Sequence, residues 1–244
     1  NVALGDTALD SVQAGGTDNT AIGNHAGTAI TTGDRNTAVG SLSLEANTTG
    51  LYNTAIGYSS LKTNITGASN TGLGYRSLEV NTASNNTALG YEAGAATAGG
   101  GSNTAVGKSA LCKNTSGNNN TAVGISALFA NTTATHNVAV GAASLISNTT
   151  GTRNVAVGCG ALVSNVNDND NTGVGFKTLL NSSGQSNTAI GSCALTTNTT
   201  ASNNTAVGFC SLNANTTGEY NTGVGTCSLN ANTTGGASTS VGYQ

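Results

Sequence analysis

The pentamer Asn-Thr-Ala-Val-Gly recurs, with variants, fifteen times along the 244 residues. Copies begin at Asn1, Asn19, Asn36, Asn53, Asn70, Asn86, Asn103, Asn120, Asn137, Asn154, Asn171, Asn187, Asn204, Asn221 and Ser238. The spacing is 18 residues once, 16 twice and 17 otherwise. A period this short dictates stacked units, because one unit cannot bury its apolar face alone. Fourteen repeats and a stub account for the whole sequence. No linker or shift in composition interrupts them, so residues 1–244 read as a single repeat domain.

The consensus is N-T-A-V-G-x-x-[AS]-L-x-x-N-T-T-G-x-x. Position 5 is Gly in all fifteen copies, and position 4 is Val, Ile or Leu in all fifteen. Position 1 is Asn in fourteen. Position 9 is Leu in twelve of fourteen, the exceptions being Gly27 and Gly94. Seventeen residues are too few for the helix pairs of common helical repeats. Fixed Gly and β-branched residues also oppose helix. Thr-Ala-Val and Ser-Leu fit short strands, and Asn-Thr-Thr-Gly fits a turn. The expected fold is all-β: a parallel β-solenoid (β-roll) of about 14 coils, one coil per repeat. At ~4.8 Å per strand spacing such a stack is a rod of roughly 65–70 Å.

Composition supports a narrow coil over a wide globular core. Charged residues are 7% and aromatics 4%, and Pro, Met and Trp are absent. Disordered chains are instead rich in charge and Pro. A Pro in a stacked strand would remove an inter-coil hydrogen bond. The net charge of −3 provides no basic field for nucleic acid. No run of 18 apolar residues occurs, so no membrane insertion is expected. Residue 1 is Asn rather than Met, which suggests a processed chain or a section of a longer one.

All seventeen charged residues fall at positions 6, 7, 10, 11 or 15–18. The remaining positions are expected to be largely shielded, since an unpaired buried charge in every coil would be costly. Val, Ile or Leu at position 4 and Leu at position 9 are expected to form interior rows. Position 2, on the same strand face as position 4, is expected to be at least half buried. Position 3 is only Ala, Gly or Ser, so a close neighbour is expected there: the opposite coil wall or another chain. Gly40, Gly57 and Gly124, at position 5, read as corners needing positive φ or close backbone approach.

Asn36, Asn53, Asn120 and Asn137 at position 1, with Asn47, Asn131 and Asn148 at position 12, read as amide ladders linking successive coils. Position 12 also creates glycosylation sequons, as at Asn47, Asn114 and Asn232. Glycans repeating every ~4.8 Å would collide, so the ladder is the preferred reading. Tyr58, Tyr75, Tyr91, Phe176 and Phe209 share position 6 with Tyr243. They form a contact stripe, either for sugar or receptor or as a hydrophobic corner or chain–chain contact. Cys193, Cys210 and Cys227 share position 7 in consecutive coils. In-register neighbours rarely reach disulfide geometry, so stacked free thiols are expected. No metal-ligand spacing, cofactor motif or catalytic constellation emerges. His25 and His136 read as surface residues.

Stretches such as Asn36–Gly40, Asn120–Gly124 and Asn204–Gly208 resemble the head repeats of trimeric autotransporter adhesins. They are still more similar to Asn-Thr-Ala-x-Gly arrays of phage tail fibres. The resemblance covers the whole chain and implies a left-handed parallel β-roll, three chains side by side, and a role in attachment. The coil here is longer than in the adhesins, and its extra segment Asn-Thr-Thr-Gly is regular.

The expected function is a structural fibre, filament or adhesin segment of an elongated surface or virion appendage, and not an enzyme. Its expected partner is itself, as a trimer or an end-to-end filament, because open solenoid ends need covering. The expected location is extracellular, at a cell or virion surface. The alternative is a glycan- or receptor-binding module along the solenoid face, tested by loss of sugar binding in Tyr75→Ala. An ice-binding solenoid is the third reading, weakened because the Thr rows at positions 13 and 14 are adjacent.

Overall fold

The computed structural model describes residues 1–243, with no helix among them. Each repeat contributes one three-residue strand at positions 2–4. The chain divides into two compact units, Asn1–Asn120 and Thr121–Gln244. In the first, the strands are β1 (Val2–Leu4), β2 (Thr20–Ile22), β3 (Thr37–Val39), β4 (Thr54–Ile56), β5 (Thr71–Leu73), β6 (Thr87–Leu89) and β7 (Thr104–Val106). In the second they are β8 (Thr121–Val123), β9 (Val138–Val140), β10 (Val155–Val157), β11 (Thr172–Val174), β12 (Thr188–Ile190), β13 (Thr205–Val207), β14 (Thr222–Val224) and β15 (Thr239–Val241).

Within each unit successive strands pair in parallel and in register. Thr37 lies opposite Thr54 in the first, and Val155 opposite Thr172 in the second. The architecture is a parallel β-solenoid with one strand per coil. The stretch around Ser-Leu, expected as a second strand, is a turn instead.

The turn has a backbone reason. Position 5 enters it through Gly at φ 127° in Gly40, 132° in Gly57 and 137° in Gly124. A Cβ on Gly40 would stand 2.6 Å from the Gly57 carbonyl oxygen of the next coil. Both parts of the corner expectation therefore hold at this position. Beyond it, positions 7 and 9 also turn left-handed, as at Ser59 (φ 54°) and Leu61 (φ 52°). Alternating backbone hands prevent a second strand from forming.

A non-glycine residue in this region costs roughly 1–2 kcal/mol. Burial offsets it: Leu44, Leu61, Leu111, Leu128, Leu145, Leu162, Leu179, Leu195 and Leu212 at position 9 are all 0% exposed. Full burial of a Leu side chain contributes roughly 1.5–3 kcal/mol. The expected position-9 interior row is therefore present, and it tolerates the strain.

The other half of that expectation is overturned. Strands show a buried centre with less buried flanks: Ala38, Ala55, Ala122 and Ala156 at position 3 are buried, whereas positions 2 and 4 face outward. Ile22, Ile56, Leu73, Leu89 and Ile190 at position 4 rank among the exposed large hydrophobics. The close neighbour at position 3 is the chain's own opposite wall. A Cβ on Gly72 would stand 2.5 Å from Ser60 Oγ at position 8. A coil this narrow admits the Leu of position 9 and, facing it, only a methyl group.

Candidate functional site

Two polar ladders hold the coils together. Asn36 Oδ1 accepts the Asn53 backbone N–H at 3.0 Å, and Asn36 Nδ2 donates to the Gly50 carbonyl of its own coil at 2.8 Å. The first bond joins adjacent coils and the second closes one coil. Asn53 repeats both toward Asn70 and Gly67. Asn120 donates its backbone N–H to Asn103 Oδ1 at 3.0 Å. Asn137 donates through Nδ2 to Gly151 at 2.8 Å, and its Oδ1 accepts from the Asn154 N–H at 2.9 Å.

The position-12 row converges on the same carbonyls. Asn47 donates to Gly50 at 3.1 Å and accepts from Asn64 Nδ2 at 3.0 Å. Asn148 donates to Asn131 Oδ1 at 3.2 Å and to Gly151 at 3.0 Å, while Asn131 donates to Ala134 at 3.2 Å. These three side chains are fully buried. Their amide nitrogens are committed to coil closure, which supports the ladder over a glycan array. A Cβ on Gly50 would come within 2.3 Å of Asn47 Oδ1, so a larger residue there needs a local shift, whereas Ala83 and Ala201 accept the same paired amides in their own coils.

The outward strand face is uniform. Positions 2 and 4 carry only Thr, Val, Ile and Leu in all fifteen copies. None of the thirty residues is charged, although neither position is buried by the chain itself. Charge does gather elsewhere. Arg76 pairs with Glu79 at 2.6 Å and Glu92 at 3.4 Å, and Glu79 raises the Arg76 pKa. Arg153 forms a two-pronged pair with Asp170 at 2.7 and 2.9 Å, which lowers the Asp170 pKa.

The position-6 aromatics form two arrangements. Tyr58, Tyr75 and Tyr91 stack at centroid separations of 5.4 and 5.2 Å, with interplanar angles of 14° and 10°. Lys108 Nζ lies 5.9 Å from the Tyr91 ring centroid. Both faces of Tyr75 are thus covered by other rings, and only ring edges and hydroxyls meet solvent. Phe176 and Phe209 are exposed and lie two coils apart, with Ser192 at position 6 between them.

Cys193, Cys210 and Cys227 are free thiols, as are Cys112 and Cys159. Burial raises the Cys210 pKa, and both neighbouring thiols add to the shift. Burial likewise raises that of Cys112. His25 Nδ1 lies 2.9 Å from Thr7 Oγ1. Among the described residues, no group of three or more His, Cys, Asp or Glu is placed to hold a metal ion. No described helix is long and apolar enough to cross a membrane.

One feature was not legible in the sequence. The inward Ala row reversed the expected facing of the strand. The alternation of aromatic and hydroxyl residues from Phe176 onward was readable in sequence once position 6 was followed coil by coil. The fold and surface thus define a β-solenoid with an uncharged sheet face. Comparison with protein-family models, curated proteins and solved structures yields no match in any of the three.

Proposed function

We propose that the chain is a structural segment of a fibre or adhesin-type appendage at a cell or virion surface, serving attachment. It assembles with further copies of itself through the outward strand face. One observation carries this reading: thirty outward positions without a single charge, although charges occupy other exposed positions. Its aliphatic row, exposed at Ile22, Ile56, Leu73, Leu89 and Ile190, is the kind of apolar surface that marks an interface. A face free to meet only water would accept Lys or Glu at little cost. The resemblance of the pentamers to adhesin-head and tail-fibre arrays supports the same function.

The test is mass by light scattering together with small-angle scattering of the full chain. An elongated oligomer is expected. Leu73→Asp with Leu89→Asp should lower the mass to that of a monomer while circular dichroism stays unchanged. A wild-type chain that is monomeric and compact at high concentration overturns the proposal.

A second reading rests on the same face. The Thr hydroxyls of position 2 repeat once per coil on a regular, outward surface, an arrangement suited to ordering water and hence to ice binding. A thermal hysteresis assay separates it: activity that survives in the charged variant would favour assembly-independent ice binding.

A further inference from the structure

We infer that the position-6 row from Phe176 to Tyr243 is a comb of binding slots for pyranose residues of glycans. The row reads Phe176, Ser192, Phe209, Thr226, Tyr243, alternating a ring with a small hydroxyl side chain. Phe176, Phe209 and Tyr243 are 49%, 54% and 85% exposed. Successive rings stand two coils apart, about 9.6 Å at the usual strand spacing.

The stacked tyrosines supply the ruler. One ring per coil gives centroid separations of 5.2–5.4 Å with nearly parallel planes, so this position turns ring faces along the stack. Omitting one ring, as at Ser192 and Thr226, leaves a gap of one ring's thickness. A six-membered ring entering the gap would stand about 4.8 Å from each wall, within the range of ring stacking. Lys177 Nζ lies 5.0 Å from the Phe176 ring centroid.

The chemistry of the slot selects a sugar over a second aromatic side chain. The walls are apolar and the floor is a hydroxyl, the combination of broad apolar contact with few orienting polar groups that suits a small ligand. A pyranose offers C–H faces to the rings and hydroxyls to Ser192 or Thr226. The plane of the slot lies across the stack, so one linear polymer could not run along the comb from gap to gap. Two gaps about 9.6 Å apart favour clustered pyranoses through effective concentration.

The test is saturation-transfer NMR on the full chain with methyl β-galactopyranoside and methyl β-glucopyranoside, each at tens of millimolar. Ring-proton signals from at least one are expected. They should fall at least five-fold in Ser192→Phe/Thr226→Phe, whose added rings fill both gaps, and in Phe209→Ala, which removes the shared wall. Circular dichroism should match wild type in each. Transfer from neither pyranoside, or transfer undiminished in the filled variant, overturns the inference. A change in oligomer mass in Phe209→Ala without sugar binding also overturns it, and assigns the gaps to a second copy. The separate mass measurement on Leu73→Asp with Leu89→Asp keeps this outcome distinct from failure of the proposed assembly.

Discussion

Ile30 fills the space that Gly27 leaves empty: its Cδ1 lies 2.9 Å from where a Cβ on Gly27 would stand. Gly27 replaces the Leu of position 9 and Ile30 replaces the Asn of position 12 within one coil. Apolar volume has moved three residues along the turn, and Ile30 is 1% exposed. Gly27→Leu alone should overpack the coil and cost roughly 1–3 kcal/mol. Ile30→Asn alone should leave a cavity and cost about 2 kcal/mol or more. The double variant rebuilds the regular coil, so its loss should be smaller than the sum of the two. Denaturant unfolding of the four proteins measures the coupling, and simple additivity would refute the exchange.

Asn53 makes the position-1 knot with both polar atoms while 0% exposed. Asn53→Ala would orphan the Asn70 backbone N–H and leave the Gly67 carbonyl with its bond from Asn64 Nδ2 alone. A buried orphan costs about 1–3 kcal/mol. The expected result is a destabilisation of about that size, read from the unfolding midpoint. Thr54→Ala, next along the chain but outward-facing, should be near neutral.

The position-12 ladder is broken where Thr97 replaces Asn, and Thr97 Oγ1 is buried without a hydrogen-bond partner. Thr97→Val keeps the shape and removes the orphan. Stability should rise by about 1 kcal/mol or more, since an unsatisfied buried group costs about 1–3 kcal/mol. The ladder is interrupted again at Ser182, and Asn165 Oδ1 in the preceding coil is left unpartnered.

Asp170 is held by Arg153, and its pKa is lowered chiefly by that hydrogen bond. A carboxylate with a depressed folded pKa stabilises above its ordinary, unfolded pKa and loses that contribution as pH falls through the folded value. The Asp170 carboxyl carbon should therefore titrate below the usual carboxylate range by NMR. Arg153→Gln should return it toward that range. The pair is solvent-exposed, so added salt should weaken the shift.

Cys210 lies between two other thiols, and burial is the main cause of its raised pKa. Alkylation near pH 8 should modify the exposed Cys159 well before Cys210, followed by mass spectrometry of the peptides. Cys193→Ser with Cys227→Ser should speed Cys210 modification, because two neighbouring thiols that raise its pKa are removed.

The period, a strand at Thr-Ala-Val, the glycine corner and the Asn ladders were legible in the sequence, but not that Ser-Leu forms a turn and leaves each repeat with one strand. Each depends on a residue type whose backbone or amide chemistry recurs at a fixed position, so stacking follows from the repeat alone. The facing of the strand was not legible. A three-residue strand offers two phases, and with Ala at position 3 and an aliphatic residue at position 4, residue size alone favours burying position 4. Packing decided the opposite: Leu61 and its counterparts already fill the narrow interior, and only a methyl such as that of Ala55 fits against them. The left-handed turns at positions 7 and 9 were likewise hidden, because non-glycine residues such as Leu61 adopt them only when burial offsets the strain. Sequence by itself determined that the chain stacks; the tertiary structure decided which rows are core and which face outward, because interior volume is a property of the closed coil and not of any one residue.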